Sequence, residues 1–403
     1  MLWLLAFACT GTPAPESVAE ETCVSIPSPS HRPVAHHIEQ PLVFDAATVA
    51  AAKTLNDALL DHALQPDLPW AIGHALVALG PDLKLSNGSD AVDWMFSTYG
   101  ERIQLADHDH GLVFPENRGS TRVEPHPSLI LKAITDAGVD SSRAIRVDGH
   151  NHTVADLYRG TLATHWHNTA TGSTSFPSLN DMPWSLMALV SWSAPKTSWR
   201  SMPRGSTNCM ESSLSAFAQQ VGAGLEASTD FLAKAQSSGA SFQKRRQGIF
   251  KYTCGGAHLI QGVLHAELRG FGEPSTSSRV GRQLELLRYR FPIELNQIDA
   301  AIESNPKYRI PLAVQRLKLT GHTLETVARV AAAGTTIDIP QTELRLLVKE
   351  VTTSVDLLRG LKVYQNLHIA QSENEQFFLD VVGDSAHALR GLSIASGQRP
   401  VYY

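Results

Sequence analysis

Residues Thr253 to Arg269 read TCGGAHLIQGVLHAELR. Placed on a helix at about 100° per residue, Cys254, His258, Gln261, His265 and Arg269 share one quadrant, while Leu259, Ile260, Val263 and Leu264 fall on the other side. The spacing predicts an amphipathic helix with an unusual polar face. A stripe that meets water is built from Lys and Glu, whereas a thiol, two imidazoles and an amide belong in a cavity or a satisfied interior. The Cys254, His258, His265 stripe is therefore expected to look inward. Glu267, on the aliphatic side, is the one residue that fits this badly.

Outward from this stretch the chain reads as all-α. DAATVAAAKTLNDALLDHAL, from Asp45, has an acid suited to an N-cap, and LPWAIGHALVALG has Pro69 for a first turn and Gly80 for a C-cap. HPSLILKAITDAGV is a helix closed by Gly138, LNDMPWSLMALVSW repeats the Pro-Trp opening, and five further segments to residue 392 carry helical periodicity between Gly, Pro or polar loops. LADHDHGLVFPENRGSTRVEP reads as a long irregular loop. Its Asp107, His108, Asp109 and His110 are turn chemistry ahead of a metal site, because adjacent residues do not easily converge on one ion. Residues 144–154 form the one β-hairpin expected, turning at Asp148-Gly149 before Thr153 caps a helix. His150 and His152 then sit at an exposed turn, and His165 and His167 at a helix end read as structural.

The chain has 403 residues, 43% hydrophobic, with 34 basic and 39 acidic residues and a formal charge of -5. A core of some size can be buried, and so mild a balance excludes a nucleic-acid partner. After residue 8 no apolar run approaches the length of a bilayer-spanning helix. No Gly-x-Ser-x-Gly elbow, Gly-rich phosphate loop, dinucleotide fingerprint or EF-hand loop is present, and Cys254 has no local signature of an activated thiolate.

The N-terminus, MLWLLAFAC followed by TGTPAPES, resembles a bacterial lipoprotein signal: a short apolar run, Ala8 before Cys9, then a polar, Pro-bearing stretch. It departs in having no Lys or Arg before the apolar run and Ala6 where Leu or Val is usual. The resemblance implies a signal peptide over 1–8, lipidation of Cys9, a Pro/Ser-rich tether over 9–41, and a helical domain over 42–403 anchored to a membrane of the cell envelope. His36 and His37 are solvated tether residues on this reading. The helical domain divides into a core over 42–272 and C-terminal helices over 273–403. In an oxidising compartment Cys23, Cys209 and Cys254 leave two readings, a Cys209–Cys254 disulfide with Cys23 spare, or a free buried Cys254.

HPSLILKAI, VDGHNHTVADL, DMPWSLMALVSW and TCGGAHL, within residues 65 to 270, resemble bacterial members of the α/α-toroid group, which is similar to terpenoid cyclases and protein prenyltransferases. The resemblance implies inner helices lining a central cavity. Catalysis does not carry over. Asp-x-Asp-Asp and recurring Gln-Trp are absent, and Tyr252 stands where prenyltransferase zinc sites have an Asp two residues before the Cys.

Cys254 and His258 could both ligate one ion, zinc by their chemistry, with His126 or another distant His completing the site. His265 lies two further turns along, about 10 Å away at 1.5 Å per residue, too far to share it. Against metal binding, Gly255-Gly256 would allow tight helix packing with Cys254 and His258 as hydrogen-bonded core residues and no cofactor at all. Two functions follow. One is a membrane-anchored binding or scaffold protein whose cavity takes a small molecule or a cell-envelope component. The other is a metal-assisted cavity enzyme acting on a glycan or lipid-like substrate.

Overall fold

The computed structural model describes residues 24–106, 109–202, 208–272, 276–334 and 337–403. Residues 1–8, Cys9, Cys23, Asp107 and His108 lie outside the described residues.

The chain is mostly helical. In order it runs β1 (Ala35–His36), α1 (Ala46–His62), α2 (Pro69–Leu79), α3 (Ala91–Tyr99), β2 (Glu101–Ala106), β3 (Asp109–Val113), β4 (Asn117–Arg118) and β5 (Thr121–Arg122). Then come α4 (Leu129–Ala137), β6 (Ala144–Val147), β7 (His150–Thr153), α5 (Val154–Thr164), α6 (Met182–Trp192), β8 (Ser198–Ser201), β9 (Met210–Ser213) and α7 (Leu214–Ser237). The remainder is α8 (Ala257–Leu268), α9 (Thr276–Ser304), α10 (Arg309–Ala332), α11 (Gln341–Gly360), α12 (Leu367–Glu373), α13 (Glu375–Ala395) and β10 (Val401–Tyr402).

Local chemistry sets these boundaries. Asp45 caps α1 by accepting from the Thr48 N–H at 2.8 Å, Pro69 sits in the first turn of α2, and Thr153 with Asp156 forms a capping box on α5. Gly138 ends α4 with φ at 81°, a left-handed value that glycine adopts without a steric penalty.

The hairpin expected over 144–154 is present as β6 paired with β7, but it is not alone. Residues 105–125, read from the sequence as irregular loop, hold the end of β2 with its partner β3, and the pair of β4 with β5; β8 with β9 and β1 with β10 make further two-stranded sheets. The Gly and Pro that mark this region as a loop punctuate its hairpins. Gly111 and Gly160 let β3 lie directly on α5: a Cβ at Gly160 would stand 1.8 Å from the Leu112 carbonyl oxygen.

Six helices form a circuit of contacts. α2 packs on α4, α4 on α6, α6 on α8, α8 on α10 and α10 on α13, and α13 returns to α2. The intervening helices pack against them: α7 against α6 and α8, α9 against α8 and α10, α11 against α10 and α1. Every residue of α4 and of α6 is buried. α10 and α13 approach closely, so that a Cβ at Gly321 would stand 3.0 Å from that of Ala388 and one at Gly391 would stand 2.9 Å from the Glu325 amide nitrogen. No helix among the described residues is long and apolar enough to cross a membrane.

Candidate metal centre

α8 begins at Ala257, not at Thr253. Before it, Thr253 to Gly256 form a tight turn in which Cys254 (φ 53°), Gly255 (φ 61°) and Gly256 (φ 78°) are all left-handed. A glycine pair makes two of these cheap, whereas the third is strained for a residue with a side chain. The i, i+4 helical relation expected between Cys254 and His258 therefore does not exist. The turn brings the thiol to His258 by another route.

Nor is α8 amphipathic in the way its pattern predicts. Its aliphatic residues are buried, and so are His258, Gln261, His265 and Glu267. A helix packed on all sides buries its polar face as well, provided each group finds partners. Glu267, the awkward residue, pairs with Arg279 of α9.

Three ligand-type side chains converge at the N-terminal end of α8. Cys254, His258 and His322 each place a potential donor atom within 4.8 Å of the others, and His322, Glu325 and His387 form a second such group sharing His322. Ring centroids of His258 lie 4.9 Å from His322 and 5.0 Å from His387, and those of His322 and His387 are 4.0 Å apart. His258 makes no hydrogen bond to the described residues beyond these ring contacts and that to Trp184, 4.8 Å between centroids.

Two carboxylates back this group. His387 Nδ1 donates to Glu325 Oε2 at 2.6 Å, leaving Nε2 buried with no partner, and His322 Nε2 stands 3.6 Å from Asp384 Oδ1 with neither ring nitrogen in a good hydrogen bond. A carboxylate behind an imidazole whose other nitrogen is unspent is the arrangement that fixes a metal-ligating histidine. Orphaned nitrogens in so buried a place cost free energy unless something occupies the space between them. Cys254 carries a free thiol.

Electrostatics point the same way. Burial and the neighbouring His322 hold the His387 pKa at about 3, and burial takes His258 and His74 well below their ordinary value. Burial also opposes a charge on His322, yet the Cys254 sulfur and the Asp384 carboxylate outweigh it and raise that pKa to about 10. A proton held on His322 beside a sulfur, a carboxylate and other imidazoles occupies the place of a cation.

Beneath the histidines lies a paired ionic floor. Asp136 Oδ2 meets Lys132 Nζ at 2.9 Å and Arg329 Nη2 at 2.6 Å, and Arg329 Nε reaches Glu325 Oε1 at 3.1 Å. Gln261 Nε2 donates to Glu325 at 3.2 Å and to Thr326 at 3.1 Å, and Arg390 donates to the Asp136 and Pro400 carbonyl oxygens. Burial would raise the Glu325 pKa, but the His387 ring, Arg329 and Lys132 hold it well below the carboxylate range.

Above the histidines is a cavity of about 270 Å³. Its walls include Cys254, His258, His322 and His387, with Trp70 and His74 from α2, Trp184 from α6, and Lys318, Asp380 and Asp384. His126, the sequence's candidate third ligand, is in this wall but not among the converging ligands. It stacks on Trp184 at 4.1 Å, with Nδ1 3.6 Å from Asp181. His265 is elsewhere, with Nε2 2.7 Å from the Ser191 hydroxyl and its ring stacked on Tyr403 at 4.7 Å. Cys209 is disulfide-bonded, and since Cys254 is free its partner lies outside the described residues. Asp109, of the Asp-His-Asp-His run, pairs with Arg159.

No family model, curated protein or solved structure matches this chain. The chemistry of the site has to speak for itself. Three of its members, His322, Glu325 and His387, escape the sequence reading. A signal was there: His322, Glu325 and Arg329 recur at helical spacing inside GHTLETVARVAA, as do Asp384, His387 and Arg390 inside VVGDSAHALRGLSIA, both segments otherwise small and apolar.

Proposed function

We propose that the chain is a zinc-dependent hydrolase whose metal is held by Cys254, His258 and His322, with His387 beside it on its Glu325 support. One observation carries this reading: thiol and imidazole donor atoms within 4.8 Å of one another stand in the wall of a cavity of about 270 Å³. One Cys and two His suit zinc better than the oxygen-seeking cations, and three protein ligands leave the fourth position to face the cavity, as hydrolytic zinc sites require. Zinc there would supply an acidified water as nucleophile. Trp70 and Trp184 offer flat apolar walls to a substrate, and Asp384 and Glu325 orient the imidazoles.

The same reading takes α2, α4, α6, α8, α10 and α13 as the inner ring of an α/α toroid, supported by their circuit of contacts and by the cavity that residues of all six share. It also takes the protein as exported and held to a membrane through Cys9. The disulfide at Cys209 supports an oxidising compartment. A fatty-acid analogue should then label the wild type and not Cys9→Ser, and equal labelling would remove the anchor from the reading.

The metal is tested with cobalt. The purified protein is expected to bind one Co(II) per chain with a thiolate charge-transfer band that Cys254→Ser abolishes, and acetohydroxamate should perturb the ligand-field bands by entering the open position. A four-ligand spectrum blind to acetohydroxamate would make the metal structural. Failure to bind any divalent ion would leave the cavity to a binding or scaffold role.

A further inference from the structure

The cavity has a charge pattern that the metal ligands do not use. Lys318 Nζ lies in its wall 3.6 Å from Asp380 Oδ1 and 3.7 Å from Asp384 Oδ2, beyond ordinary hydrogen-bond length to either, so its donors are not spent on the carboxylates that neutralise it. Arg122 enters the same cavity from the His126 side, with its side chain largely in solvent. These two cations balance Asp380 and Asp384. The floor does not balance: Lys132, Arg329 and Arg390 face only Asp136 and Glu325, one positive charge in excess. A divalent ion on one thiolate adds another.

Helix geometry adds to this field. Trp70, Leu129, Trp184, His258 and Gln376 all line the cavity, and each lies within the first three residues of its helix, α2, α4, α6, α8 and α13. Five helices thus turn their partly positive ends toward one small space. In a protein of formal charge -5, this is an electropositive chamber set in an acidic surface, and low-dielectric walls focus such a field.

Resting on the zinc reading above, we infer that the cavity takes a small organic monoanion, whose carboxylate is held by Lys318 next to the reacting group and drawn in by Arg122 at the rim. A carboxylate fits better than a phosphate. A dianion would bring its second charge against Asp380 and Asp384, whereas a single charge meets the excess that the floor and metal leave. The volume, about 270 Å³, suits a molecule far smaller than a glycan chain or a lipid.

The test uses two hydroxamates on the cobalt-loaded protein: the monohydroxamate of succinic acid, which carries a carboxylate tail, and the same molecule with that tail as a primary amide. The acid should bind about tenfold more tightly than the amide, a ratio worth about 1.4 kcal/mol. Lys318→Met should erase the difference while leaving the affinity of the amide unchanged. Arg122→Met, on a side chain largely in solvent, keeps the test open if Lys318→Met does not fold, and should slow binding of the acid alone, an effect that added salt removes. Equal affinity of acid and amide for the wild type would overturn the inference while leaving the metal centre in place. Should no cobalt bind, the metal reading fails by itself, and thermal stabilisation of the metal-free protein by butyrate, a monoanion, decides the inference. A shift lost in Lys318→Met upholds the anion site, and no shift ends it.

Discussion

His258 and His265 stand two turns apart on α8, are both more than nine-tenths buried, and belong to the same stripe of the sequence, yet their surroundings differ in kind. His265 Nε2 hydrogen-bonds the Ser191 hydroxyl, and its ring lies flat on Tyr403, whose own hydroxyl donates to the Arg329 carbonyl oxygen at 2.8 Å. His258 has the Cys254 thiol and other rings around it, two of them imidazoles with unspent nitrogens, and a cavity in front. Burial alone does not separate a histidine that holds the fold from one that holds a ligand. What separates them is the company the ring keeps: His265 has a hydroxyl on Nε2 and a flat aromatic neighbour, although its Nδ1 is buried without a partner, whereas His258 stands among other potential metal ligands and faces a cavity.

The sharpest test of this contrast removes an anion from the floor. Asp136 joins Lys132 and Arg329 in the floor, so Asp136→Ala leaves buried Lys132 without its anion and Arg329 with Glu325 alone, and should cost about 3–5 kcal/mol in chemical denaturation, whether or not metal is present. A loss below about 1 kcal/mol would mean that water reaches the floor and that the network is not the rigid base assigned to it.

A smaller effect comes from exchanging the two histidines for leucine in turn. His265→Leu removes the imidazole from the Ser191 hydroxyl, which keeps its bond to the Met187 carbonyl oxygen, and should cost about 0.5–1.5 kcal/mol while leaving metal content untouched. His258→Leu should do the reverse, leaving the metal-free protein about as stable as before and abolishing metal binding. If both variants lose stability alike and neither changes metal content, the distinction between them collapses.

pH sharpens the same pair. Burial and Arg329 hold His265 at about 3 in the folded protein, against an ordinary value of 6.5. As pH falls below about 6.5 the unfolded chain takes up a proton that the folded chain refuses until about 3, so stability is complete above that window and declines through it. His165, held at about 4 by burial, acts in the same direction. His265→Leu should flatten the decline measured between pH 6.5 and 4, and an unchanged slope would mean that His265 titrates normally.

Much of this could be read before any coordinates. Asp45, Pro69, Gly138 and Thr153 mark helix ends because capping is local chemistry, and the polar stripe of Thr253 to Arg269 announces an interior because its side chains are poor choices for water. The form of the site could not. His322 and His387 lie 64 and 129 residues beyond His258 in the numbering, and their convergence is set by which helices touch, a long-range matter on which periodicity is silent. The left-handed turn at Cys254 defeats a helical wheel because the wheel assumes the very backbone that Gly255 and Gly256 abandon. The additional hairpins were hidden by the glycines that make them pack.

The near-contact of α10 and α13 has a consequence for how this site keeps its shape. Gly321 rests on Ala388 and Gly391 on the Glu325 backbone, with no side chain of their own to hold the helices apart, so the two main chains act as a gauge block for His322, Glu325, Asp384 and His387. Their spacing is a machined dimension, not an adjustable one, since no rotamer can be reset to open or close it. An incoming ion would have to match that gauge, and selectivity among ions of like charge would then rest on two glycines that never touch them.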